Sequence, residues 1–585
     1  MMESKDQLAT LFEEIAEIHE FLGENVFKIR AFRNAARTLE NFQGPLSMIL
    51  ENPPQGFGKG LLAKTEEFLR TGKVEEFETL SPNFPSSLRE VFKIPGLGSK
   101  KIRILHDVLK VSSVADLEKA CLENKVAEIK GFGDKSQRMI LAGIEQIKQY
   151  SGRFLFSTAS KVAEEVLSKL SKKFPGISFS LAGSLRRKME TVKDADILAI
   201  SDSSTEIMET FAKFSETSKV LSQGESKTSI IHNSGIQIDL RVIPTTACAT
   251  GTLHFTGSKE FNTKLRSLAK NQGKRLNEYG LWKEEKSSVF SNEDEVLREL
   301  GLSFIPPELR EDLGEVEEAL KGKTFQLVEE KDLKGLLHMH SNWSDGEESI
   351  LSMANAAMKQ GFEWIGITDH SEFSRIANGM EPERARNQHK EIEELNKNFR
   401  NFRIFKGVEC DILPNGNLDY PPELLSKYDF VIISAHSKTS DTEKMTERLQ
   451  CALENPFSDI WGHPTNRLLL EREPYPMDID KLLDVCLKKK TILEINAHPK
   501  RLDLDWRMIR KIANLGHLFS IGCDAHDTDE LSAYKFGIGI ARKGGLTKEQ
   551  IINCLSADEF LAKIKARKQF SAKEIGLHQN ETKKH

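Results

Sequence analysis

Cysteine is scarce and unclustered in this chain, with seven among 585 residues and none in a C-x-x-C pair. That excludes a disulfide-built scaffold and fits a reducing compartment. No stretch has the length and apolarity of a membrane span, and the N-terminus is not a targeting peptide, because Leu8, Leu11, Phe12, Ile15, Ile18 and Leu22 fall at helical spacing for a core-facing stripe. A cytoplasmic protein with no membrane partner is expected. An excess of positive charge is also missing: the net charge is −5, and residues 1–150 hold 21 Lys and Arg against 22 Asp and Glu. Any contact with a polyanion must therefore be focused locally. At this length several domains, each with its own core, are expected.

What is present is chemistry in two blocks. The run Gly183-Ser184-Leu185-Arg186-Arg187 precedes Asp194-Ala195-Asp196. In a strand from Asp194 to Ile200 the period of two puts both carboxylates on one face, where they repel unless a hard divalent cation lies between them. Alternation over Ile236–Val242 puts Gln237, Asp239 and Arg241 on the polar face of a second strand, adding a third carboxylate. Such a trio suits two Mg²⁺ or Mn²⁺ ions clamping an in-line phosphoryl transfer, with the glycine turn and the Arg187 fork on the phosphates.

These residues, with Phe255-Thr256-Gly257-Ser258, Asn262 and Arg266, resemble the palm and thumb of family X DNA polymerases. The resemblance implies that Asp194, Asp196 and Asp239 are catalytic metal ligands, with Asp239 best placed to take the primer hydroxyl's proton. It implies that Ser184, Arg187 and Arg153 contact the triphosphate, that Phe255 and Gly257 lie at the sugar, and that Asn262 and Arg266 reach the base and template. His254 stands where the family carries tyrosine, so the resemblance leaves sugar discrimination open.

Three glycine hairpins recur at Gly56-Phe57-Gly58, Gly96-Leu97-Gly98 and Gly131-Phe132-Gly133, each before a helical pattern. They resemble helix-hairpin-helix motifs, in which backbone N–H groups at a helix start hold DNA phosphates without reading sequence. Lys28, Arg30, Arg33 and Arg37, interleaved with Phe27 and Phe32, form the best basic and aromatic cluster for a 5′ phosphate. Matching the family's lyase-like domain puts Lys64 at the position of a Schiff-base nucleophile, with Lys28 nearby.

The second block follows Lys331. Short apolar runs end in His338-Met339-His340, Asp369-His370, Glu409, His436, His463, Glu494 and Asp524-Ala525-His526, separated by helical lengths. Strand ends loaded with imidazole and carboxylate read as a βα barrel holding Zn²⁺, Mn²⁺ or Fe²⁺. The series resembles the PHP (polymerase and histidinol phosphatase) domain, a distorted seven-stranded barrel with up to three metals. The resemblance implies nine ligands: His338, His340, Asp345, His370, Glu409, His436, His463, Asp524 and His526. Arg467, Lys500 and Arg501 follow strand-end segments and are candidate phosphate contacts. Cys410 and Cys523 read as small buried hydrophobes.

The expected fold is a multidomain α/β chain. Its parts are a lyase-like helical domain at 1–80, a fingers-like helical domain at 81–150, a nucleotidyltransferase palm at 151–245, a thumb at 246–318, a linker at 319–332, a PHP (β/α)7 barrel at 333–575 and a frayed basic tail at 576–585. The expected function is a monomeric polymerase that fills gapped or nicked DNA from deoxynucleoside triphosphates during base excision repair, with 3′-to-5′ exonuclease or 3′-end processing by the barrel. The principal alternative is a metallophosphoesterase whose nucleotidyltransferase half only binds DNA. A non-catalytic scaffold fits poorly with two full ligand sets, and the hairpins argue against transfer to RNA or a small molecule.

Overall fold

The computed structural model describes residues 4–41, 46–51, 53–54, 57–81, 84, 86–92, 94, 97–150 and 152–582. The chain divides into two compact units, Met1–Ser151 and Gly152–His585. Among the described residues no helix is long and apolar enough to cross a membrane.

The first unit is helical where described. Its opening helix, Ser4–Leu22, follows the predicted stripe: Leu8, Phe12, Ile15 and Ile18 are buried, while Leu22 turns to solvent. One apolar cluster is drawn from Leu8 to Val74, and a second joins Ile18 and Phe21 to residues from Phe84 to Ile144. Gly58 and Gly98 are extended and immediately precede the helices Lys59–Thr71 and Ser99–Leu109. Gly133 begins the helix Gly133–Tyr150, two residues after Gly131. Gly56 and Gly96 lie outside the described residues. The structure corrects one aromatic assignment: Phe32 belongs to the core, packed edge-on to Phe12, whereas Phe27 is exposed.

The second unit begins with a five-stranded sheet in the spatial order Ser178–Leu181, Asp194–Ile200, Gln237–Ile243, Lys227–His232, Thr217–Gln223. Only Asp194–Ile200 and Gln237–Ile243 pair in parallel, and their register sets Asp196 beside Asp239. Ala195, Ile197 and Ala199 are buried against the helix Phe156–Lys173, which is why the acidic partners face the other way. The helices Cys248–Thr256 and Lys259–Asn271 follow, the second capped by the Ser258 hydroxyl on the Phe261 N–H.

The barrel strands are Gly335–Met339, Trp364–Ile367, Arg403–Lys406, Glu409–Asp411, Ile432–Ser434, Ile460–Trp461, Ile492–Asn496 and Phe519–Ala525. The last pairs in parallel with the first. Arg403–Lys406 and Glu409–Asp411 are two halves of one stretch that takes a different neighbour on each side, so the sheet curls back on itself through seven strand positions. Gly335–Met339 is buried at every position, as a strand covered on both faces must be. One end of the barrel is closed by the helix Ala557–Thr582, whose Phe560 and Ile564 pack on Leu337, Trp364, Phe405 and Phe430. Two cations of the basic terminus are used in this closure. Arg567 binds Asp459 at 2.8 Å, and Lys568 donates to the carbonyls of Tyr428 and Asp429.

Candidate functional site

The acidic trio is assembled by the parallel pair. Gly183, with φ of +55°, turns the chain so closely past Asp196 that a β-carbon there would overlap its carboxylate. Burial, then the charges of Asp194 and Asp239, push Asp196 up to about 6. Burial and Asp239 raise Asp194 as well. Asp239 moves the other way: burial would raise it, but hydrogen bonds from Lys227, Ser229 and Gln237 together hold it below the usual carboxylate range. The Lys227 ammonium is 2.5 Å from Asp239 Oδ2. Sequence reading missed Lys227, because a lysine opening a strand carries no signal until the strand order is known.

Around the trio, Arg187 donates to Glu311 at 3.0 Å and to the Thr256 carbonyl at 2.6 Å, tying the glycine turn to the residue before Gly257. Ser184, next to Gly183, is half-buried. Arg186 instead pairs with Glu293, which also takes the buried Arg310. Arg241 sits 4.7 Å over the Phe255 ring. The ring of His254 packs edge-on to Phe255, and the Asn262 amide donates to the His254 carbonyl at 2.7 Å. Arg266 is exposed one turn further along the same helix. Arg153 is held by Thr191, through the hydroxyl at 2.9 Å and the carbonyl at 2.7 Å.

In the first unit, Lys28 and Lys64 converge on one carboxylate, Glu76, at 2.9 and 3.0 Å, and His19 joins them at 2.7 Å. Burial would raise Glu76, but these three partners hold it at about 2. Arg33 is paired with Glu13 and Glu20.

All nine barrel residues named from the sequence meet in one cluster at the carboxyl ends of the strands. Four overlapping sets form within it: His340, Asp345, His370 and His526; His338, His340 and Glu409; His338, His463 and Asp524; His370, Glu409 and His436. The buried nitrogens His338 Nε2, both of His340 and His463 Nδ1 have no hydrogen-bond partner, a costly arrangement that metal coordination would resolve, and His370 Nδ1 faces the Glu409 carboxylate at 3.0 Å. Burial disfavours a charged His436, yet Glu409 and Asp411 raise it to about 10, while burial beside His370 and His526 pushes His340 down to about 3.

The sequence marks Glu494 as a strand-end residue, but not its role or that of Asp411 in supporting the imidazoles. Glu494 accepts from His338 Nδ1 at 2.5 Å and from the His463 N–H at 2.6 Å, and Asp411 holds His436 Nδ1 at 3.0 Å. Such carboxylates fix the tautomer and direction of ligating imidazoles. The cluster faces a cavity of about 750 Å³. Arg501 lines it and lies 3.3 Å from Asp524, whereas Lys500 is exposed beside Glu471. Arg467 is corrected to a structural role, buried on Asp505 and the Arg501 carbonyl.

Two sites of this kind in one chain define a class, the metal-dependent phosphoryl-transfer enzymes, with DNA contacts built from helix-hairpin-helix units. Family models match on the same lines: a helix-hairpin-helix domain at residues 3–74, a SAM-like helix-hairpin-helix tandem at 88–146, the DNA polymerase beta thumb at 251–311 and the PHP domain at 337–498. The DNA polymerase/3′-5′ exonuclease PolX of Bacillus subtilis is 40% identical over 567 residues, covering 96% of this chain and 99% of the relative. The chain therefore belongs to the bacterial family X DNA polymerases that carry a PHP domain. A probable phosphatase of Thermoanaerobacter sp. strain X514 is 29% identical over 220 residues, 35% of this chain and 83% of its own. Another, from Caldanaerobacter subterraneus, is 28% identical over 247 residues, 40% of this chain and 89% of its own.

Proposed function

We propose that the protein is a DNA-directed DNA polymerase that fills short gaps in base excision repair, and that its PHP barrel is a metal-dependent 3′-to-5′ exonuclease. What supports this reading is a barrel cluster of metal-type residues and a palm in which Asp196 stands beside Asp239, on a chain that spans nearly all of a relative named for both activities.

In the palm, Asp194, Asp196 and Asp239 would hold two Mg²⁺ or Mn²⁺ ions, which supply charge stabilisation for an in-line displacement. Asp239, kept ionised by Lys227, is the acceptor for the primer hydroxyl's proton. Ser184 and the Gly183 turn receive the leaving phosphates. Arg187 contributes a planar fork once shared between Glu311 and the triphosphate, with Arg153 bracing the strand ahead of the acids. His254, Phe255, Gly257, Asn262 and Arg266 form the sugar, base and template side. In the barrel, the nine ligands would hold up to three Zn²⁺, Mn²⁺ or Fe²⁺ ions, and Glu494 and Asp411 orient the imidazoles around them. The hairpins at Gly58, Gly98 and Gly131-Gly133 bind backbone phosphates, assisted by Lys28 and Arg33. Lys64 is assigned the abasic-site lyase role, with Glu76 restraining it until a sugar arrives.

The test is a one-nucleotide gapped duplex with a 5′ phosphate, incubated with Mn²⁺ and each nucleotide separately. Template-directed extension by one base, with shortening when nucleotides are withheld, is expected. Shortening under every condition would instead favour the phosphoesterase alternative.

A further inference from the structure

The cavity over the barrel cluster has an unusual lip. Phe373, Arg375 and Ile376 line it from one short turn. Phe373 is 45% exposed, and Ile376, at 106%, is the most exposed large hydrophobic side chain among the described residues. Single exposed apolar residues need no explanation, but two on one turn with a cation between them, on the rim of a catalytic cavity, do.

The turn is built to hold them there. The Phe373 N–H donates to the Asp419 carboxylate at 2.8 Å, and Asn378 Nδ2 donates to the Ser344 carbonyl at 2.9 Å. The Met380 N–H donates to the His370 carbonyl at 2.9 Å, and the Ser371 N–H to the Glu409 carbonyl at 3.0 Å, so both feet of the turn stand on metal-type residues. Gly379 lies so close under the Ser371 carbonyl that a side chain there would not fit. A rigid turn that presents a ring, an aliphatic branch and a guanidinium to water is matched by one chemistry in a nuclease: the π-face of an unstacked base with its phosphate alongside.

Resting on the exonuclease reading above, we propose that this turn is the subsite for the unpaired 3′-terminal nucleotide of a DNA strand, with Phe373 and Ile376 against the base and Arg375 on the adjoining phosphate. Ser374, whose hydroxyl is 3.5 Å from His436 Nδ1, places the stack directly beside the cluster. About 750 Å³ is the size of a small-ligand pocket and suits one unpaired terminal nucleotide. Mispaired ends unpair at lower cost, and the subsite therefore biases trimming toward them.

The experiment pairs a change in the protein with a change in the DNA. Single-stranded oligonucleotides ending in a normal nucleotide or in one lacking its base are digested with Mn²⁺ by the unaltered protein, by Phe373→Ala/Ile376→Ala and by the conservative Phe373→Tyr. The unaltered protein and Phe373→Tyr are expected to prefer the base-bearing end on the order of tenfold. The double variant is expected to cut both ends equally and to lose its preference for mispaired over paired termini. If the double variant keeps the preference, or loses activity equally on both ends while the ratio stays unchanged, the subsite is overturned. If the unaltered protein removes no nucleotide from either end, the exonuclease reading itself fails, and the subsite with it.

Discussion

Asp196 and Asp239 are neighbours in register with opposite electrostatic fates, because Asp239 takes hydrogen bonds from Lys227, Ser229 and Gln237 while burial dominates at Asp196. Asp196 titrates near 6 when folded, against the ordinary 3.8, so the folded state binds its proton more tightly than the unfolded chain does. Stability contributed by this group therefore falls as pH rises from about 4 to 6 and stays low above that window. Asp196→Asn should raise the stability of the second unit at pH 7.5 in chelator by on the order of 2 kcal/mol, read by denaturant melts, while reducing synthesis about 100-fold or more. In unaltered protein at limiting Mg²⁺, synthesis should decline as pH drops through about 6, as Asp196 takes up its proton. The trio was legible because alternation in two strands fixes which side chains share a face. Lys227 was not, because its partner is set by strand order. The same holds for Arg467, which reads as a loop cation and is in fact buried on Asp505.

At the scale of elements, eight of the nine barrel residues were legible because each stands at the end of an apolar run whose period and length define a strand, whereas Asp345, in the turn after Gly335–Met339, came only from the resemblance. How these residues are supported was not legible. Glu494 reaches His338 only because Gly522, on the adjacent strand, leaves room: a β-carbon there would overlap the Glu494 carboxylate and lie 3.0 Å from His338 Cβ. Three of the clustered residues also sit at positive φ, His338 at 57°, His463 at 25° and Asp524 at 52°, a backbone cost concentrated at the candidate site. At His338 this accompanies a shift in register between Leu337 and Met339, which strict alternation does not foresee. Gly522→Ala should lower nuclease activity 10-fold or more, measured on single-stranded DNA, with gap filling unchanged.

At the scale of the whole second unit, the barrel and the polymerase half share a polar seam. Lys543, at the end of the helix Tyr534–Lys543, is fully buried and donates to the Arg187 carbonyl at 3.0 Å and the Glu311 carboxylate at 2.6 Å. Its ammonium lies 4.4 Å over Trp506, whose indole N–H reaches Glu190 at 2.9 Å, and Arg510 binds Glu315 at 2.9 Å. Burial pushes Lys543 down to about 8, against the pull of Glu311. In the sequence Lys543 is one of several cations near a helix end, and only the packing of residues 308–315 against that end removes it from water. Lys543→Met would leave Glu311 with Arg187 alone and is expected to destabilise the second unit by about 2 kcal/mol, read as a lower midpoint in thermal or denaturant melts.

The central claim is that one chain holds two independent catalytic centres. It is tested most directly by Asp239→Ala and His340→Ala on the same labelled gapped primer, with and without nucleotides. Asp239→Ala should abolish extension and keep shortening, and His340→Ala should keep extension and abolish shortening. Loss of both activities in either variant would contradict separate sites.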